Sequence, residues 1–335
     1  MTDKKDEYFS ALKKSIEWHS KWVKDKLYTL YIGGGTPSLM TKRELCELMS
    51  CVYENFDTSA LCETTLEANP ESVTEDFLRY ARTLGVDRLS LGIQSFDDKE
   101  LSTIGRLHTS YEAKKAIESA KDAGFENISC DLIFGLPEQS AKSLLKSVQT
   151  LIDCDVTHIS CYNLQIEEGT ELYKRKTPVP NEEIQRQMYF EMCNRLKDNG
   201  FEHYEISNFA KKGFESRHNS VYWKDADYLG IGPSAHSKLS GKRCGYNNDV
   251  EAFCKKTDFE FDFCEKIDDE LFEKIMLSLR TANGLDLSLV PKSRQYIDML
   301  CKNGFANIKD GFVRLTDEGF YLSNTIISDI TAKEC

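Results

Sequence analysis

Between Leu27 and Ser38 the chain reads LYTLYIGGGTPS, a β-branched and aromatic run that ends on Gly33, Gly34, Gly35, Thr36 and Pro37. Glycines at a strand exit let the backbone turn sharply and approach a ligand, leaving N–H and C=O groups available to it. A bare strand exit would also look like this, so residues at comparable positions elsewhere decide the reading. Glu67 follows the next strand-like run in TLEANP, and Gln94 the one after in LGIQSF. Asp131 lies within SCDLIFGLP, Tyr162 to Gln165 close another run, and Arg106 follows a short apolar segment in IGRLH. Polar and charged groups at successive strand ends would converge on one barrel mouth, where a small polar molecule can be held.

The elements that must position these residues are legible as periodicity. A helix is expected over residues 5–26, where Tyr8, Leu12 and Ile16 recur at helical spacing as though to cover a sheet. Strand-like and helix-like segments then alternate with a rhythm of roughly thirty to forty residues. The expected strands are LYTLYI, TTLEA, DRLSLGI, NISCDLIF, HISCYNL and HYEIS. Helices between them open on Thr41 (with Glu44 three residues on), Thr74 and Asn181, and close on Gly85, Gly124 and Gly200. Such alternation predicts an α/β fold with a parallel sheet whose reactive residues sit at the carboxyl ends of the strands. Over about residues 209–248 the pattern breaks into an aromatic, glycine-bearing segment that is neither clean helix nor clean strand. The tail reads as helix, Asp310-Gly311 hairpin and helix, as in a small winged-helix module.

Composition narrows the function classes. The 335 residues carry 43 basic and 55 acidic side chains, a formal charge of -12, which repels phosphate backbones. Residues 266–335 hold nine basic against eleven acidic groups, so the winged-helix-like tail is not expected to bind nucleic acid. No apolar run reaches membrane-spanning length and the first residues are studded with charge, so a cytoplasmic protein is expected. The 12 cysteines include no C-x-x-C; the closest pairs are Cys46 with Cys51 and Cys154 with Cys161. Reduced thiols are expected, most of them small core residues such as Cys46 and Cys193, and no local zinc or iron–sulfur signature is encoded.

Taken in order, YIGGGTPS, LEANP, LSLGIQSF, IGRLH, DLIFGLP, RHNSVYW, YLGIGPSAHS and MLSLRTANGLDL resemble the radical S-adenosylmethionine proteins related to oxygen-independent coproporphyrinogen III oxidase. Within that family the likeness is to the heme-chaperone branch, HemW, and it runs from about Asp6 to the C-terminus. The resemblance implies a partial (β/α)6 radical-SAM-type barrel lacking its first strand over residues 1–208. A connecting segment with an H-N-x-x-Y motif would follow over 209–264, then a small, mainly helical, winged-helix-like domain over 265–335. It implies contacts to S-adenosylmethionine from Gly34, Gly35 and Thr36 at the methionine part, and from Glu67, Gln94, Arg106, Asp131 and Leu164. It associates His218, Asn219 and Tyr222 with heme. A histidine nitrogen is a natural iron ligand, and Tyr222 and Trp223 offer flat apolar surface. His236 in PSAHS is a second candidate.

The function so implied is heme binding and heme delivery. Expected partners are heme and heme-accepting apoproteins, with a homodimer and a peripheral membrane contact for heme transfer as further expectations. The alternative is a radical oxidoreductase that decarboxylates the propionates of coproporphyrinogen III; a third reading is a cluster-free barrel that binds S-adenosylmethionine without cleaving it. The family's C-x-x-x-C-x-x-C loop, which holds a [4Fe-4S] cluster, does not occur in this sequence. The expectation is that Met1 is an internal methionine of a longer chain, with a shortened descendant as the competing explanation. A [4Fe-4S] cluster is expected only with that loop restored, and the apolar LYTLYI edge is expected to be unpaired.

Overall fold

A computed structural model describes residues 2–334. The chain divides into two compact units. The smaller comprises Met1–Tyr31, Met40–Thr64 and Arg217–Leu277, and the larger Ile32–Leu39, Thr65–Ser216 and Ser278–Cys335.

Seven strands form the principal sheet: β1 (Thr29–Ile32), β2 (Glu63–Ala68), β3 (Arg88–Gln94), β4 (Asn127–Phe134), β5 (His158–Asn163), β6 (Glu202–Glu205) and β7 (Asn208–Ala210), in the order β1-β2-β3-β4-β5-β7-β6. Strands β2 to β5 pair in parallel, with Leu66 aligned on Leu89 and Cys130 on Ile159. Their residues are buried on both faces, as a parallel sheet covered by crossover helices requires. The crossover helices Lys42–Asn55, Glu75–Thr83, Ser110–Asp122 and Ala141–Asp153 each open on a side-chain cap, from Thr41, Thr74, Thr109 and Ser140. Gly85, Gly124 and Gly200, beyond helix ends, have φ of 94°, 89° and 80°, the left-handed backbone that glycine adopts without a Cβ clash.

The last part of this sheet departs from the expected βα rhythm. HYEIS does not end in a helix; after Glu205 the chain reverses, and β7 inserts between β5 and β6, antiparallel to both. No glycine or proline marks that reversal, because Ile206 N donates to Arg280 O and Ala282 N to Tyr204 O, so tertiary bonds set the turn. Within the same unit, β11 (Leu285–Asp286), β12 (Ala306–Lys309) and β13 (Phe312–Leu315) form a second sheet, in the order β11-β13-β12. Asp310 and Gly311 join β12 to β13 with φ of 54° and 83°, the two positive values of a tight hairpin turn.

In the smaller unit the first helix spans Thr2–Ser20 rather than reaching residue 26. Trp22 N and Val23 N both donate to His19 O, closing the helix in a turn, and Leu27 N donates to Asp57 O. The segment expected to lack regular structure contains the helix Arg217–Trp223 and the strands β8 (His236–Leu239) and β9 (Lys242–Gly245), which form a three-stranded antiparallel sheet with β10 (Phe263–Lys266) further along the chain. These strands are four residues long and rich in Lys and Arg, so they carry little alternating apolar signal. Register puts Cys244 opposite Cys264, and the two form a disulfide. That differs from the expectation of reduced thiols; a separation of 20 residues hides a pairing that only the strand register creates. Ala11, Tyr246, Phe253 and Phe259 form a small core, with Trp18 and Phe261 packed on it. Among the described residues, no helix is long and apolar enough to cross a membrane.

Candidate functional site

The strand-end residues of the larger unit are brought together as the sequence suggested. Gly34 and Gly35 have φ of 77° and 64°, and a Cβ at either would meet nothing within 4 Å. The Gly34 N–H, expected to be open, donates to Glu67 Oε2 at 2.9 Å, so the carboxylate at the end of β2 pins the glycine turn. Thr36 Oγ1 accepts from Asn69 Nδ2 at 3.3 Å. Asn69 Oδ1 in turn accepts from Arg106 Nη2 at 3.1 Å, and the same Nη2 donates to Gly92 O at 2.7 Å. A Cβ at Gly92 would lie 2.6 Å from Arg106 Nη2 and 3.2 Å from Gln94 Nε2, so this glycine makes room for both side chains. Gln94 itself has φ of 67°, at a register shift between β3 and β4.

Charge in this cluster is concentrated and poorly hydrated. Asp131 keeps some solvent contact but lies deep among protein atoms. Burial raises its pKa to about 6, opposed by the Ser160 hydroxyl and the Arg88 and Arg106 guanidinium groups and aided by Glu67. Burial also pulls the Arg106 pKa down, against the Glu71 and Asp131 carboxylates. Arg106 Nε is buried without a partner, a donor that a bound acceptor could satisfy. Leu164, just past β5, is held by its backbone N–H on Phe134 O at 2.9 Å.

The other candidate residues lie in the smaller unit. Glu63, buried at the start of β2, accepts from the backbone N–H groups of Arg217 and His218, each at 2.9 Å. A carboxylate at the first turn of helix Arg217–Trp223 favours that helix and fixes its rotation. The His218 ring stacks on Tyr31, with centroids 4.8 Å apart, and its nitrogens are bracketed by hydroxyls. Nδ1 lies 2.8 Å from Thr29 Oγ1 and Nε2 lies 2.8 Å from Tyr222 Oη. Burial, helped by Tyr228, raises the Tyr222 pKa to about 12, so the phenol is neutral. Asn219 sits half-buried in the same helix. His236 is exposed on β8, its ring 5.5 Å from that of Phe263 and apart from the hydroxyl pair around His218.

Comparison with known proteins places these two clusters in a family. Residues 9–151 match the Radical SAM superfamily. Heme chaperone HemW of Bacillus subtilis (strain 168) is 34% identical over 345 residues, covering 96% of this chain and 90% of that protein. Heme chaperone HemW of Lactococcus lactis subsp. lactis (strain IL1403) is 32% identical, covering 96% and 88%. The chain belongs to the HemW family. Among solved structures, coproporphyrinogen III oxidase (HemN) from Escherichia coli, a radical SAM enzyme, superposes with a TM-score of 0.83 over 97% of this chain and 82% of that one; at 21% identity the likeness is one of fold.

HemW membership raises the question whether the residues present fit the superfamily's cofactors. For S-adenosylmethionine they do: the Glu67 and Asp131 carboxylates suit an ammonium and a sulfonium, the unpartnered Arg106 Nε suits a carboxylate, and the Gly34–Gly35 turn leaves room beside them. For a [4Fe-4S] cluster, three thiolates on one loop are not gathered among the described residues. Cys193, His203 and Asp317 do place metal-capable atoms within 4.8 Å of one another. His203 Nδ1 already meets Asp317 Oδ1 at 3.0 Å and the Lys197 ammonium sits on Asp317, so a cation is supplied by the protein itself.

Sequence reasoning missed Asn69, Gly92 and Glu205. Asn69 lay inside the quoted LEANP, where an asparagine before proline reads as a turn residue. Glu205 is buried, receives Asn208 Nδ2 on Oε1, and has its pKa raised to about 8 by burial, with Ser207 N–H and Arg280 opposing. A carboxylate inside a strand-like run was its only signal.

Proposed function

We propose that this chain is a heme chaperone of the HemW type, which binds heme through His218 and Tyr222, holds S-adenosylmethionine on the Gly34-to-Asp131 cluster, and delivers heme to acceptor apoproteins. Family membership over 96% of the chain supports the chaperone reading. The observation that carries the heme site is the His218 imidazole, held between Thr29 and Tyr222 and stacked on Tyr31. With Nδ1 donating to Thr29 Oγ1, the ring orientation and tautomer are fixed, and Nε2 becomes the nitrogen that an iron would take once the Tyr222 hydroxyl turns aside. Tyr31 then backs the imidazole, and Tyr222, whose ring stands at 86° to that of His218, would offer an aromatic face to a macrocycle.

At the other cluster, Glu67 and Gly34 would set the amino-acid end of S-adenosylmethionine, and Arg106 and Asp131 would supply charge on either side of it. The chemistry this cofactor supplies when bound is one-electron reductive cleavage. This chain's residues would orient it and keep water away. The coproporphyrinogen-oxidase alternative rests on a shared fold, and a fold carries no substrate.

The test is a hemin titration followed in the Soret band, against an unrelated protein of similar negative charge. His218→Ala is expected to weaken binding about tenfold, the loss of one ligand interaction of roughly 1.4 kcal/mol. Binding no tighter than to the control protein, in the unsubstituted chain, would contradict the chaperone reading.

A further inference from the structure

The disulfide of the smaller unit is placed as a bond that reacts. Cys244 and Cys264 are joined in a chain whose nine other described cysteines are free thiols. One bridge among so many reduced thiols is of the kind made and broken in redox chemistry. Its two ends differ in access: Cys264 is exposed on β10, whereas Cys244 on β9 is 3% exposed. β10 is the edge strand of its sheet, four residues long with three of them exposed, so no further strand flanks Cys264.

The segment closed by the bridge has other anchors. On either side of the bonded pair, register sets Phe263 opposite Gly245 and Lys266 opposite Lys242. Within the 20-residue separation, Tyr246, Phe253 and Phe259 form the small core already described. Tyr246 N donates to Ala235 O at 3.0 Å and Tyr246 Oη to Phe259 O at 2.7 Å. Opening the bond therefore frees the edge strand and leaves the core packed.

Cys264 also has an approach. It lines an open cavity of about 440 Å³ walled by Trp18, Trp22 and Phe261, where the first helix ends. Apolar walls accept the methylene or peptide groups that flank a thiol. Lys21 and Glu260 both line this cavity, so opposite charges offset there and access to sulfur decides which end is attacked.

We propose that Cys244–Cys264 is a thiol–disulfide exchange site, opened by a dithiol that enters from the aromatic cavity and attacks Cys264. A thiolate of the dithiol bonds to Cys264 Sγ, and the Sγ–Sγ bond breaks with its electron pair going to Cys244 Sγ, which takes a proton. The second thiol then attacks the mixed disulfide, closes the dithiol's own disulfide and releases Cys264 as a thiol. The bridge gains two electrons and two protons, and the dithiol loses them. This site does not depend on the heme reading.

The experiment counts thiols by mass. The full chain, isolated without reductant, is alkylated with iodoacetamide in denaturant and weighed intact; all 12 cysteines but two are expected to be labelled. After brief exposure of the folded chain to dithiothreitol, all 12 are expected to be labelled, with Cys244 and Cys264 identified as the added pair by peptide mapping. Labelling of all 12 without reductant overturns the proposal, as does a bridge that dithiothreitol opens only in urea. Reduced thioredoxin in a parallel arm separates the sources: opening by both reagents supports a protein dithiol, and opening by dithiothreitol alone supports a small one. The point of attack is read in Cys244→Ser and Cys264→Ser, with circular dichroism to confirm folding. In the folded variants the remaining Cys264 is expected to react with iodoacetamide about tenfold faster than the remaining Cys244. Equal rates, or a faster Cys244, overturn the assignment of Cys264 as the sulfur attacked.

Discussion

In the larger unit Arg106 is tied to Asn69 and to Gly92 O while its Nε stays bare, whereas in helix Arg217–Trp223 both nitrogens of His218 already have hydroxyl partners. The first arrangement is rigid and unsatisfied: the sheet register and a buried network hold the Arg106 Nε donor in place without a partner. The second is satisfied and exchangeable, because Tyr222 is partly exposed and a neutral phenol is easily displaced. A preorganised pocket suits a small cofactor kept in one pose; a replaceable partner suits a cargo that must leave.

The largest effect should come from breaking the rigid region. Arg106→Ala leaves Asn69 Oδ1 and Gly92 O without their donor, and we expect a loss of about 3 kcal/mol in urea unfolding together with loss of S-adenosylmethionine binding in equilibrium dialysis. Retained cofactor binding would show that the guanidinium is only structural.

Next is the pH dependence of the same region. The Asp131 pKa is raised from 3.8 to about 6 in the folded chain, so its contribution is most favourable below pH 4 and is lost as pH rises through 6. Asp131→Asn should therefore stabilise on the order of 2 kcal/mol above pH 6 and by little below pH 4. Glu205, raised from 4.5 to about 8, acts in the same direction over a higher window. A stability gain in Asp131→Asn that does not change with pH would contradict the assignment.

In the exchangeable region the expected effects are smaller. Tyr222→Phe removes the hydroxyl that competes for His218 Nε2; stability should fall by no more than about 1 kcal/mol while hemin affinity rises a few-fold. Weaker hemin binding would instead mean that the hydroxyl touches the ligand. Smallest in functional consequence is Thr109→Ala, which removes the capping box on Glu112 and should cost about 1 kcal/mol in thermal unfolding while leaving both ligands bound as before.

Much of this contrast was legible in the sequence, and unevenly so. Glu67 and Asp131 could be placed because TTLEA and NISCDLIF are legible as strands, whereas Arg106, beyond the short helix Asp98–Thr103, stood out only through its IGRLH motif. NISCDLIF begins and ends where the strand does. Asn69 was hidden because its role depends on reaching both Thr36 and Arg106 across the sheet. The β6–β7 reversal was hidden because backbone bonds from residues 280 and 282 shape it. His218 could be singled out as a motif, but not its partners: Thr29 and Glu63 lie more than a hundred residues away in sequence.

The most direct test of the chaperone account is heme transfer. The chain loaded with one equivalent of hemin is mixed with an apo heme protein, and the acceptor's Soret band is followed in time, with His218→Ala beside it. The account predicts that the unsubstituted chain retains heme alone yet passes it to the acceptor, and that His218→Ala loses it to solution and to the acceptor alike. Heme that stays on the chain, or leaves both chains indistinguishably, would contradict it.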